Sequence, residues 1–168
     1  MKNYIIGTLL VGILFLSSII YKNSREPILQ HFPVKKTVKR KESNNPVFYI
    51  YMFFSKRNCH DCLRVIDVLN ELPDYFVVRG IVSERELGNE KELREITGAK
   101  FELEPMSKKY RKFLPIYSPT IYGVDERGIV YFILPGVPAE KEYLKKFLLS
   151  FYYKAYNILK ACDDNCRK

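Results

Sequence analysis

Between Lys2 and Lys22 the chain carries no charged residue. Residues 4–21 also contain no cysteine, which excludes a thiol-linked lipid there. They show no small-residue cleavage site of the A-x-A kind: Ser17-Ser18 is the nearest candidate, and Ile19, Ile20 and Tyr21 continue the apolar run beyond it. A helix of this length spans about 27 Å, just enough for a bilayer core. Residues 1–21 are therefore expected to be an uncleaved transmembrane anchor, with a cleaved export signal as the alternative.

Acidic residues are scarce in the next segment. Across residues 22–46, Lys22, Arg25, Lys35, Lys36, Lys39, Arg40 and Lys41 stand against Glu26 and Glu42, and Pro27, Pro33 and Pro46 discourage regular structure. This stretch reads as a basic linker, placed near anionic lipid head groups or acting as a solvated spacer. It accounts for most of the formal charge of +9. Residues 42–168 are nearly balanced, with 20 basic against 18 acidic side chains, so the folded part has no global nucleic-acid footprint. A basic flank after an anchor argues for a domain on the cytoplasmic side. A short charged N-terminus ahead of an apolar run looks instead like an export signal. The extracytoplasmic side is the expectation, with the cytoplasmic side left open.

Cysteine is limited to 4 residues in two pairs, Cys59 with Cys62 and Cys162 with Cys166. A c-type haem site needs His directly after the second cysteine, and position 63 is Leu. Zinc needs four ligands, and the two pairs lie about a hundred residues apart, unlike the closer pairs of structural zinc sites. No metal or cofactor is expected. Zinc and a merely structural disulfide stay as the rival readings of the first pair.

What is present centres on residues 47–72. Residues 47–54 are dense in β-branched and aromatic side chains and read as a buried strand. After a short polar loop, Cys62, Val65, Ile66, Leu69 and Leu72 recur at helical spacing. The Cys59-His60-Asp61-Cys62 motif thus falls where a strand hands over to the first turn of a helix. Unpaired backbone N–H groups and a partial positive charge gather there, and they favour a thiolate. Cys59, at the exposed end, would attack a disulfide, and Cys62 would resolve the mixed disulfide. Lys56, Arg57 and His60 favour the Cys59 thiolate, whereas Asp61 opposes it.

Downstream, residues 75–82 read as a second buried strand. Ser83 with Glu86 forms a capping-box pattern ahead of a charged helical stretch, which Gly88-Asn89 divides and Gly98 ends. Residues 101–115 read as a partly helical insertion. Two strands, residues 120–124 and 129–134, are joined by a turn ending in Gly128, and Pro135-Gly136 stops the second. A final helix over residues 139–162 carries an apolar stripe from Leu144 to Leu159, broadened by Tyr143, Tyr152, Tyr153 and Tyr156.

This order of elements resembles the thioredoxin fold. The residues that carry the resemblance are FFSKRNCHDC after the first strand, Ser118-Pro119-Thr120 before the hairpin, and VDERGIVYFILPGVP through it. The last of these looks like the membrane-anchored TlpA and ResA type of thiol-disulfide oxidoreductase. The resemblance implies an α/β fold with a central mixed sheet of about four strands flanked by helices. It implies that Cys59 and Cys62 are the catalytic pair. It further implies that Pro119 is a cis-proline facing them, with Ser118 offering backbone groups to an extended substrate segment beside His60 and Asp61. The partners implied are a protein disulfide or dithiol substrate and a thiol protein that donates or accepts electrons.

The sequence also departs from thioredoxin itself. Asn58 stands where thioredoxin has Trp, His60-Asp61 replace Gly-Pro, and Phe53 occupies the place of its buried acid. Glu102 or Glu104 would then be the candidate proton acceptors. The domain is expected over residues 47–161, long enough for one core. Residues 162–168 form a tail in which Cys162 and Cys166 could make a staple, a second redox pair or free thiols.

Overall fold

The computed structural model describes residues 31–35, 47–56, 61–136 and 140–166, the last nine of these by backbone alone. The described residues all belong to one compact unit. The expected anchor, residues 1–21, lies outside them. Among the described residues no helix is long and apolar enough to cross a membrane.

The core is built around β1 (Phe48–Phe53), every residue of which is buried. A strand with both faces covered has no polar alternation, which is why this one reads as an unbroken apolar run. Its parallel neighbour β2 (Phe76–Val82) is reached through helix α1 (Cys62–Asn70). Ser83 accepts a hydrogen bond from the Glu86 amide and caps the short helix α2 (Glu84–Leu87). Helix α3 (Glu90–Thr97) follows and ends on Gly98 at φ +70°.

The next strand corrects the expected architecture. Residues 101–115, read as a partly helical insertion, supply β3 (Glu102–Pro105) and then a 3-10 helix (Lys108–Phe113). Among the described residues the sheet therefore has 5 strands, where about four were expected, in the order β3-β2-β1-β4-β5. Strands β4 (Thr120–Val124) and β5 (Val130–Pro135) are antiparallel, and helix α4 (Lys141–Cys166) closes the chain. The alternating charges of β3 hide its nature, because Glu104 is buried against Arg79 rather than solvated.

Two apolar layers flank the sheet. Phe48, Ile50, Met52 and Phe54 pack on one face with the inner sides of α1, α3 and α4. Tyr49, Tyr51 and Phe53 pack on the other with Tyr110, Phe113 and Tyr122. Residues 31–35, within the stretch expected to be linker, complete this second layer. Phe32 is 2% exposed, with its ring centroid 4.4 Å from that of Tyr51 and 4.7 Å from that of Phe113. One aromatic in a basic, proline-bearing segment gives no periodic signal, so its burial shows only in three dimensions.

Candidate functional site: the head of helix α1

Parallel pairing of β1 with β2 requires the connecting chain to leave one end of the sheet and return to the other. Helix α1 makes that return, so its first turn stands at the end where β1 finishes. Antiparallel pairing of β1 with β4 sets Phe53 opposite Thr120. Ser118 and Pro119, just before Thr120, are thereby brought to the same end of the sheet. Topology thus brings Cys62, Asp61, Ser118 and Pro119 to one end of the sheet.

Cys62 is the first residue of α1, 1% exposed and disulfide-bonded. It packs in the same apolar layer as Val65, Ile66 and Leu69. Asp61 precedes it with helical dihedrals and accepts the Val65 amide through its carbonyl; its side chain caps nothing. Cys59 and His60, together with Arg57 and Asn58, lie outside the described residues.

The Ser118–Pro119 peptide is cis, with Ser118 exposed and Pro119 buried. The Pro119 carbonyl accepts the Gly136 amide at 2.9 Å, and Gly136 sits at φ +82°, where a side chain would be strained. The Thr120 hydroxyl donates to the Tyr117 carbonyl at 2.7 Å, closing the turn from the other side. Just upstream, Ile116 is 93% exposed and Tyr117 65% exposed. Two large apolar side chains held out in solvent beside this loop carried no signal in the sequence, since apolar residues next to a strand normally face inward.

Of the two candidate proton acceptors, Glu104 lies on the wrong face. Its carboxylate pairs with Arg79 and accepts from the Tyr110 hydroxyl at 2.9 Å and the Lys109 ammonium at 3.0 Å. Those groups belong to the layer under the sheet, whereas Cys62 belongs to the layer above it. Burial pushes the Glu104 carboxyl up, but the donors of Lys109, Tyr110 and Arg79 outweigh it and hold it below the usual carboxylate range. Glu104 is a fixed anion. Glu102 is half-exposed and pairs with Lys35 at 3.0 Å and with Arg79 at 3.1 Å. Neither acid is placed to take a proton from Cys62.

A carboxylate outside the expected set does touch the chain leading to Cys59. Glu86 accepts from the Ser55 hydroxyl at 2.9 Å and from the Lys56 amide at 2.8 Å, both through Oε1. Only its role in the capping box was legible in the sequence. Among the described residues no cluster of His, Cys, Asp and Glu could hold a metal ion.

No family model matches the chain, and no curated protein matches it either. Solved structures do. A thiol:disulfide interchange protein DsbE from Chlorobium tepidum superposes with a TM-score of 0.52 at 19% identity, over 64% of this chain and 82% of that one. StoA from Bacillus subtilis gives a TM-score of 0.50 at 17% identity, over 62% of this chain and 84% of that one. A thiol:disulfide interchange protein from Bacteroides sp. gives 0.50 at 15%, over 64% and 74%. With its five-stranded mixed sheet and a cysteine at the head of α1, the chain has the thioredoxin-like fold that these solved structures share.

Proposed function

We propose that the chain is a membrane-anchored thiol–disulfide oxidoreductase that exchanges disulfides with exported proteins through Cys59 and Cys62. The observation that carries this reading is the position of Cys62: disulfide-bonded, buried, and first in a helix whose head shares one end of the sheet with Ser118–Pro119. A disulfide suits an oxidising compartment. With the uncharged run over residues 4–21, it supports an anchored domain on the extracytoplasmic side.

In the reducing direction the Cys59 thiolate attacks one sulfur of the substrate disulfide. A mixed disulfide forms, and one substrate thiolate leaves and takes a proton from solvent. Cys62 then loses its proton and attacks the Cys59 sulfur. The Cys59–Cys62 bond closes, the second substrate thiolate departs, and two electrons have passed to the substrate. The oxidising direction is the same sequence reversed. Burial of Cys62 keeps intermolecular attack to Cys59. Ser118 offers backbone groups to an extended substrate segment beside His60 and Asp61, and Ile116 and Tyr117 add an exposed apolar rim.

The test is reduction of a disulfide-bonded peptide by the full chain in the presence of dithiothreitol. Cys59→Ser should abolish turnover, and Cys62→Ser, reduced beforehand and then freed of dithiothreitol, should accumulate a mixed disulfide visible by mass. A second reading, a binding module or redox sensor docking a membrane partner, is favoured by Tyr143 and Tyr153, which are exposed on α4. In that case partner binding survives the serine substitutions, and the wild-type chain shows no turnover.

A further inference from the structure

We propose that Glu86 is a positioning residue for the Cys59–Cys62 pair, clamping the root of the redox loop to the cap of α2. The inference rests on reading that pair as redox-active. Just past β1, the Phe54 amide donates to the Ile81 carbonyl at 3.2 Å. Beyond that point the chain leaves the sheet. Ser55 and Lys56 border a cleft of about 680 Å³, lined also by Ser83, Arg85, Glu86, Asn89 and Leu93, where something other than strand pairing must hold them.

Polar contacts take over that task. Glu86 Oε1 accepts both the Ser55 hydroxyl and the Lys56 amide, while Oε2 accepts the Ser83 hydroxyl at 2.9 Å. The Ser83 hydroxyl in turn accepts the Glu86 amide at 3.3 Å. One carboxylate thereby joins the helix cap to the loop. The Lys56 ammonium adds an ion pair with Glu92 on α3.

Partial burial pushes the Glu86 carboxyl up, yet the donors of Ser55, Ser83 and Lys56 hold it below the ordinary range. It stays an anion and carries no proton to or from the cysteines. Three peptide steps lead from Lys56 to Cys59, at most about 11 Å of chain. With the 2.8 Å bond from the Lys56 amide added, the Glu86 charge lies within about 15 Å of the Cys59 backbone, inside the Debye length of about 30 Å at 0.01 M salt. The clamp and the charge separate experimentally. A glutamine keeps the carbonyl acceptor and loses the charge, whereas an alanine loses both.

The experiment uses the full chain as wild type, Glu86→Gln, Glu86→Ala and Ser55→Ala. It follows disulfide-peptide reduction, thermal melting, and the pH profile of Cys59 alkylation by iodoacetamide, read by peptide mass. Glu86→Ala should lose about tenfold in kcat/KM through misplacement of the loop, with Glu86→Gln largely restoring it. Loss of the anion should move the Cys59 alkylation midpoint down by about half a pH unit in both Glu86 variants. Ser55→Ala leaves the α2 cap intact, so an intermediate loss of rate in it cannot be charged to unfolding. Wild-type rates and midpoints in Glu86→Ala would overturn the proposal. Equal impairment of Glu86→Gln and Glu86→Ala that tracks melting alone, with Ser55→Ala at the wild-type rate, would also overturn it. If wild-type protein reduces no peptide, the redox reading fails, and the alkylation midpoint still decides whether Glu86 acts on Cys59.

Discussion

The Phe32 amide donates to the Gly128 carbonyl at 2.7 Å, and the Phe32 carbonyl lies 2.5 Å from where a Gly128 Cβ would stand. Gly128 also holds φ +86°, so an alanine there meets both a strained backbone and a clash. Gly128→Ala should lower stability by about 1–3 kcal/mol in urea unfolding. Phe32→Ala should cost about 3–5 kcal/mol, because it removes a ring packed among Tyr51, Tyr110, Phe113 and Tyr122. An unchanged midpoint in Phe32→Ala would mean that residues 31–35 do not belong to the fold.

Arg79 and Glu104 form the second vulnerable pair. The Arg79 side chain is 1% exposed and also reaches Glu102 at 3.1 Å. Glu104→Gln leaves a buried guanidinium short of its main counter-charge and should cost about 3–5 kcal/mol. Replacing both residues by apolar ones of similar volume should recover much of that loss. The folded-state pKa of Glu104 is depressed, so its contribution is full above the unfolded carboxylate value of about 4.3 and is lost as pH falls through the folded value. Stability against pH should therefore fall on the acid side in wild type, and less steeply in Glu104→Gln.

Local pattern and long-range geometry divide what the sequence discloses. The strand rich in β-branched and aromatic residues, the helix period after Cys62, the cap at Ser83 and the stop at Gly98 are local, and each appears where its residues indicate. Strand β3 was hidden because Glu102 and Glu104 look solvated until Arg79 is seen across the sheet. Phe32 and Glu86 act across long separations, on Gly128 and on Ser55, and a partner so distant leaves no periodic trace. The placement of Ser118–Pro119 at the end of the sheet where β1 finishes depends on β1–β4 register, which the order of elements implies and pairing alone establishes.

Ile116 and Tyr117 offer a test of the substrate surface. Both are exposed, so changing them should leave the melting temperature nearly unaltered. Ile116→Asp should raise KM for a disulfide peptide by about tenfold with little change in kcat, the pattern of lost uniform binding. Unchanged KM in an Ile116→Asp, Tyr117→Ala double variant would place substrate elsewhere.

The most direct test of the redox reading is the reduction potential of the Cys59–Cys62 pair in the full chain, set by equilibration with glutathione or dithiothreitol buffers and read by thiol mass-tagging. A working exchange pair should equilibrate between about −270 mV, where thioredoxin lies, and about −120 mV, where the oxidant DsbA lies. The position within that range would give the direction of electron flow. A pair that stays oxidised below about −300 mV would be a structural staple and would contradict the oxidoreductase reading.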